Sequence, residues 1–287
     1  MTDVPTIALN SGTSIPQLGL GVWQTPDDDA ERLVRFAIDE AGYRHIDTAK
    51  IYGNEEGVGR GIATSGVPRE EIFLTTKLWN ADHGRDRALA AFDESLQRLG
   101  TDYVDLYLIH WPLGDDAEFL ATWHALEQLH SEGRARAIGL SNATIRHLDL
   151  VLAEHSVAPA IDQVELHPHF QQLPLRQHAL EHGIAVESWS PLGGTGNSGW
   201  GKNSRPNTVL ANETIAEIAA EHSVSPAQVV IRWHLQNGLV VIPKSTHEQR
   251  IAQNIDVFGF ELTERDLQRI AALDTGERVG ADPDTVR

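Results

Sequence analysis

Eight short apolar runs, at 18–23, 44–48, 72–78, 104–110, 135–141, 160–166, 185–190 and 239–244, alternate with helix-patterned stretches along the chain. The helical patterns fall at 27–41, 54–65, 84–99, 116–132, 144–154 and 173–182, and two more, at 208–222 and 226–237, precede the last apolar run. Runs this apolar have no polar face to give to solvent, so they predict strands buried on both faces and paired in parallel. Eight such units within 287 residues predict an α/β chain of the (β/α)8 TIM-barrel type rather than an open doubly wound sheet. Ahead of them, 6–9 and 14–17 flank Asn10-Ser11-Gly12-Thr13, turn chemistry that predicts an N-terminal β-hairpin. No linker or low-complexity segment breaks the pattern, so 1–287 is expected to form a single (β/α)8 barrel domain with long loops at its C-terminal face. The Gly-, Ser- and Asn-rich stretch 191–207, after the seventh run, reads as a long functional loop, and the tail from Asp274 is expected to be ordered but not helical.

Composition narrows the partners. A net charge of −18 argues against nucleic acid or an anionic membrane surface, so an anionic ligand would need a local cluster of cations. The absence of cysteine excludes disulfides and thiolate metal sites. The first residues carry neither a basic nor an apolar targeting segment, and no apolar run approaches a membrane span. A cytoplasmic, monomeric globule acting on a small molecule is the expectation.

The ends of the apolar runs are polar. They terminate in Asp47, Lys77, His110, Ser141-Asn142, Trp189-Ser190 and Lys244-Ser245, with Gln163 just inside its run. In a (β/α)8 barrel these ends surround one mouth, where the loops build the active site. Tyr52 lies in the loop after the run that ends at Asp47. An Asp, a Lys and a His at successive strand ends, with a Tyr beside them, form a constellation suited to proton transfer.

Residues 42–59, Leu140-Ser141-Asn142, and Ile242-Pro243-Lys244-Ser245 followed by Arg250 and Asn254 resemble, in order and spacing, the three signatures of the aldo-keto reductase superfamily. Ala143 departs from the middle signature, where an aromatic is common. Thr75–Asn80, Ile109–Pro112 and Glu187–Gly193 look most like bacterial 2,5-diketo-D-gluconate reductases. The resemblance covers about 6–274 and implies an NADPH-dependent carbonyl reductase acting on a small-molecule aldehyde or ketone, with NADPH/NADP+ as cofactor and no metal.

Within that resemblance Asp47, Tyr52, Lys77 and His110 occupy the four catalytic positions. Hydride arrival at a carbonyl carbon leaves an alkoxide that needs a proton, and Tyr52 is the candidate acid. Lys77 is expected to lower the phenol pKa, Asp47 to hold Lys77 charged, and His110 to orient the carbonyl oxygen. The resembling steroid double-bond reductases carry Glu where this chain has His110, which favours C=O over C=C reduction. The cofactor is expected to meet Val22, Trp23 and Asp47, with Ser141, Asn142 and Gln163 on its carboxamide and Trp189 stacked on the nicotinamide. Ser190, Pro191, Leu192 and Gly193 with the following loop would cover the pyrophosphate. Lys244, Ser245, Thr246, His247, Arg250, Gln253 and Asn254 would take the adenosine end, with cations on the 2′-phosphate. His247 and Gln253 stand where the resembling gluconate reductases tend to carry Arg and Glu. Substrate contacts are expected from Trp23, Tyr52, Trp79, His110 and Trp111.

Two other functions compete. A nicotinamide-binding redox sensor or regulatory subunit would keep the barrel and lose turnover, although an intact tetrad weighs against it. A Schiff-base aldolase using Lys77 would leave 244–254 unexplained. Glu165, His167 and His169 alternate like metal ligands, but Pro168 interrupts them and packing at the barrel rim is the expected role.

Overall fold

A computed structural model describes residues 4–194 and 207–286, so most of the Gly- and Ser-rich loop expected after the seventh barrel strand lies outside the described residues. The chain opens with the expected hairpin of β1 (Thr6–Ala8) and β2 (Ser14–Pro16), paired antiparallel from Thr6–Pro16 to Ala8–Ser14. Eight parallel strands follow in chain order around one sheet. They are β3 (Leu20–Gly21), β4 (His45–Asp47), β5 (Phe73–Leu78), β6 (Val104–Ile109), β7 (Ala135–Ser141), β8 (Ile161–Glu165), β9 (Ala185–Trp189) and β10 (Val240–Val241). Leu18 bridges to Val241 in parallel, and the Gly19 and Val241 amides donate to Val241 O and Gln17 O, each at 2.9 Å, so first and last strands meet. The sheet closes into the (β/α)8 barrel.

Alternation along the strands sorts side chains into two cores. One, between sheet and helices, is apolar throughout. The other lies inside the barrel, where Phe73, Leu106, Leu108, Ala137, Ile161 and Val240 pack with Leu9 and Ile15, so the hairpin closes the floor. Continuing the same inward positions by period two reaches His45, Asp47, Lys77, Gln163 and Glu187. The barrel interior is therefore oily at its floor and polar near its mouth.

The outer ring comprises α1 (Asp27–Phe36), α2 (Glu55–Ala63), α3 (Arg85–Leu99), α4 (Asp116–Ser131), α5 (Ile145–Glu154), α6 (Leu173–Glu181), α7 (Glu213–His222), α8 (Pro226–Gln236), α9 (Glu248–Ile255) and α10 (Glu264–Ala271). Helix α2 sits close on its neighbours because Gly57 and Gly59 present no Cβ, which would fall 2.0 Å from Asp27 O and 2.4 Å from Leu99 O. That seating matters, since α2 begins just after Tyr52. Helix α10 escaped the sequence reading, although Thr263 and Asp266 form a capping box whose spacing announced it. Strands β3 and β10 are shorter than their apolar runs, because the seam is carried by a bridge and isolated hydrogen bonds rather than a full ladder. None of the described helices is long and apolar enough to cross a membrane.

Candidate active site

Asp47 ends β4, Lys77 lies in β5, and His110 follows β6, so three adjacent strands deliver three of the four proposed catalytic groups. Lys77 Nζ donates to Asp47 Oδ1 at 2.6 Å and Oδ2 at 2.8 Å, and to Thr48 O at 3.0 Å. Its next neighbour is the Tyr52 hydroxyl at 3.5 Å. The Lys77 side chain is wholly buried, with 0 % exposure. Burial alone would lower its pKa, but the charges of Asp47 and Tyr52 and the bond to Asp47 outweigh it and leave the ammonium raised.

Tyr52 is fixed by the loop that carries it. Thr48 Oγ1 donates to Asn54 Oδ1 at 2.7 Å, and the fully buried Asn54 amide nitrogen donates to Val22 O and Thr25 O, both at 2.9 Å. The loop between β4 and α2 is thereby tied to the loop after β3. Tyr52 lies against Trp23, ring centroids 4.7 Å apart, and meets the His110 ring edge-on at 5.6 Å. The expected lowering of its phenol pKa is not what the protein alone produces. Burial pushes Tyr52 up to about 12, and the pull of Lys77 only partly offsets it. Desolvation outweighs one ammonium that is already paired with a carboxylate. His110 is held well below its ordinary value by burial and by Lys77, which keeps the imidazole neutral.

The opposite wall comes from β7, β8 and β9. Gln163 donates from its amide nitrogen to Asp47 Oδ2 and to Glu187 Oε2, each at 2.8 Å. Ser141 Oγ donates to Gln163 O at 2.9 Å. Asn142, with φ of +61°, donates to His110 O at 2.9 Å and Ser141 Oγ at 3.2 Å, and accepts the Trp189 indole N–H at 2.9 Å. Its amide nitrogen is thus engaged, and its oxygen fixes Trp189 while keeping a second lone pair free to accept. The other side of that indole meets the C-terminal tail. Val279 and Gly280 donate their amides to the Glu165 carboxylate at 2.6 and 2.9 Å, and a Cβ on Gly280 would fall 2.5 Å from Trp189 Cη2. Glu165 thus anchors the tail, and His167 lies 3.1 Å from its carboxylate.

Residues 13–275 match the family model described as the aldo/keto reductase family. The chain belongs to that family. It is 53% identical over 281 residues to an aldo-keto reductase of Mycolicibacterium smegmatis, covering 98% of each chain. It is 48% identical to the glyoxal reductase of Bacillus subtilis, covering 97% of this chain and 96% of that one. Among solved structures, a mutant of Gox0644 in complex with NADPH is 46% identical, covers both chains fully and superposes with a TM-score of 0.91.

The remaining residues expected at the cofactor lie at the seam. Lys244 and Ser245 follow β10, and His247 is the N-cap residue of α9. Ser245 Oγ accepts the His247 amide at 3.1 Å, which shapes the turn. Lys244, His247, Arg250 and Gln253 are exposed, Thr246 is half-buried and Asn254 is buried. Pro191 and Gly193 are buried, Leu192 half-buried, and Ser190 adopts φ of +48° at the turn out of β9. Val22 is 2 % exposed and acts through its backbone, accepting from Asn54 and donating to Asp47 O at 3.1 Å. Trp79 meets His110 edge-on at 5.3 Å, and Trp111, the next residue along, is 8 % exposed, as His110 is.

These positions suit a dinucleotide phosphate. Exposed cations gather at one point of an acidic chain, at the start of a helix, and Gln163 retains an amide oxygen once both its N–H bonds are engaged. Glu187 and His45 carry no expected role in the sequence. Both are fully buried inside the barrel beside Gln163 and Asp47. The signal was a charged residue at an inward position of an otherwise apolar strand.

Proposed function

We propose that the chain reduces a small reactive aldehyde or ketone, of the α-dicarbonyl or sugar-derived kind, through Tyr52, Lys77, Asp47 and His110 acting in one barrel. Family membership carries the coarser part: the chain is an NADPH-dependent oxidoreductase. The finer reading rests on the run of contacts from Asp47 through Lys77 to Tyr52 at the mouth. When bound, NADPH supplies a hydride to the carbonyl carbon. Gln163, Ser141, Asn142 and Trp189 would hold its nicotinamide end, and Lys244, Ser245, Arg250 and Asn254 its phosphorylated adenosine end.

Tyr52 gives its proton to the carbonyl oxygen as negative charge develops there, which completes the alcohol. A phenol with a pKa of about 12 remains protonated through the neutral range, so it is loaded with the proton it must give. Lys77 then faces the phenolate, and Asp47 keeps that ammonium charged and in place. His110, neutral because burial and Lys77 disfavour its cation, offers an N–H to the same carbonyl oxygen. Trp23 and Trp79 wall the approach with aromatic surface, which suits a small substrate. The name of the glyoxal-reducing relative supports a dicarbonyl among the substrates. A panel of glyoxal, methylglyoxal, sugar aldehydes and 2,5-diketo-D-gluconate, scored by loss of NADPH absorbance, tests the proposal. Turnover of the small dicarbonyls is expected, and no turnover with any carbonyl would overturn it.

A further inference from the structure

Beneath the proposed catalytic groups the barrel holds two carboxyl groups on one amide. The Gln163 side-chain nitrogen lies 2.8 Å from Asp47 Oδ2 and 2.8 Å from Glu187 Oε2. An amide has two N–H bonds and one acceptor oxygen, and turning that oxygen toward the Asp47 carboxylate would set acceptor against acceptor. Asp47 thus holds the Gln163 nitrogen inward, Glu187 accepts its second N–H, and the oxygen is what it has left for a ligand. Asp47 has a second duty, as the partner of Lys77. Among the described residues Glu187 has no Lys or Arg within ion-pair distance.

The ionisable groups facing Glu187 are His45 and Asp47 from β4, Lys77 from β5 and Tyr52 beyond them, while the paired residue of β10 is Val240. His45 Nε2 stands 3.6 Å from Glu187 Oε1, beyond hydrogen-bond length, and both side chains are fully buried. Among the described residues Glu187 Oε1 has no hydrogen-bond partner. Burial lowers His45 to about 3, so it brings no charge. Two carboxyls therefore share one ammonium, and that ammonium contacts Asp47 at 2.6 and 2.8 Å.

We propose that Glu187 is a positioning residue that works as a neutral carboxylic acid: it orients Gln163 toward the cofactor and keeps a second negative charge away from the Asp47–Lys77–Tyr52 run. This rests on the reductase reading above. An ionised Glu187 would be an uncompensated buried charge beside Asp47, and burial followed by the Asp47 charge raises its pKa to about 8. Above that pH the carboxylate competes for Lys77 and opposes the phenolate that Tyr52 must become, so reduction slows.

The test uses the full chain with NADPH and an aldehyde, as wild type, Glu187→Gln and Glu187→Leu. Wild-type kcat is expected to fall roughly three- to tenfold between pH 6.5 and 9, with an apparent pKa near 8. In Glu187→Gln the ratio of kcat at the two pH values should shrink to near one. In Glu187→Leu, which removes the acceptor, NADPH binding followed by tryptophan fluorescence should weaken several-fold at every pH. A second arm needs no turnover. A carboxyl whose folded pKa lies above its unfolded value near ~4.5 binds more protons in the folded protein, so stability falls as pH rises toward 8 and then levels. The melting temperature of the cofactor-free wild type should therefore drop between pH 6 and 8 relative to Glu187→Gln.

A wild-type kcat that is flat across pH 7–9, or an identical fall in Glu187→Gln, overturns the proposal, as does Glu187→Leu binding NADPH like wild type. If no carbonyl is reduced at any pH, the reductase reading fails, while the melting comparison still decides the protonation of Glu187. A melting temperature with the same pH dependence in wild type and Glu187→Gln overturns it on that arm. Should neither variant fold, a wild-type kcat that stays flat across pH 7–9 would still overturn the proposal.

Discussion

The two sides of the barrel mouth are built on opposite principles. On the β4–β6 side, Asp47, Lys77 and His110 are buried, and Lys77 makes three contacts of 3.0 Å or less to the protein itself. At the seam after β10, Lys244, His247 and Arg250 stand exposed. Groups that must keep one geometry through a reaction gain from protein partners that hold it beforehand. Cations that recognise a phosphate gain from staying open to it, since an exposed ion pair adds little to stability and would compete with the ligand. The contrast predicts that changes to the buried charges on the first side disturb folding and chemistry together, while those at the seam alter only cofactor choice.

Lys77→Met should break the contrast most severely. It leaves Asp47 as a buried carboxylate without its cation, a loss of about 3–5 kcal/mol in stability, and removes the charge that faces Tyr52. Denaturant unfolding measures the first effect, and adding Asp47→Asn should recover part of it. Full stability in the single variant would mean that the pair is not the buried ion pair described.

Tyr52→Phe separates chemistry from folding on the same side. Here kcat for carbonyl reduction should drop by at least ~10²-fold, with NADPH affinity nearly unchanged, because only the proton donor is removed. Retention of more than about a hundredth of wild-type kcat would assign the acid elsewhere.

At the seam, Arg250→Ala should leave the melting temperature unchanged and narrow the NADPH-over-NADH preference by one to two decades, the value of one charge-assisted contact at about 1.5–3 kcal/mol. Equal dissociation constants for the two cofactors in the wild type would remove the phosphate role from this cluster. The smallest effect is expected from His247→Ala, about threefold or less in the same ratio, since an exposed N-cap imidazole competes with solvent for the phosphate. A loss as large as that of Arg250→Ala would place His247 among the main phosphate contacts.

Most of the fold was legible because barrel strands are apolar on both faces and their ends are not. Asp47, Lys77 and His110 stood out as charged or polar residues closing apolar runs, and the barrel brings those run ends to one mouth. Residues inside the runs were harder to read. Glu187 lies two residues before Trp189 within β9, and only strand alternation combined with barrel closure turns it toward Gln163 and Asp47. Helix α10 was passed over because it is short and mostly polar, although its capping box was present. The direction of the Tyr52 shift was also misjudged, since a charge neighbour can be guessed from a motif but the depth of desolvation cannot.

The sequence by itself determined the eight-unit alternation, the family, and the strand ends that carry the proposed chemistry, because these follow from local hydropathy and residue order. Tertiary structure alone decided that one amide, Gln163, bridges two carboxyls, that Asn142 holds Trp189, and that the tail's Gly280 packs on that ring. Those outcomes depend on distances between segments as far apart as Asp47 and Gln163, or Glu165 and Gly280. Electrostatic and packing energies change over a few ångströms, and residue order along the chain carries no such distance until the barrel closes.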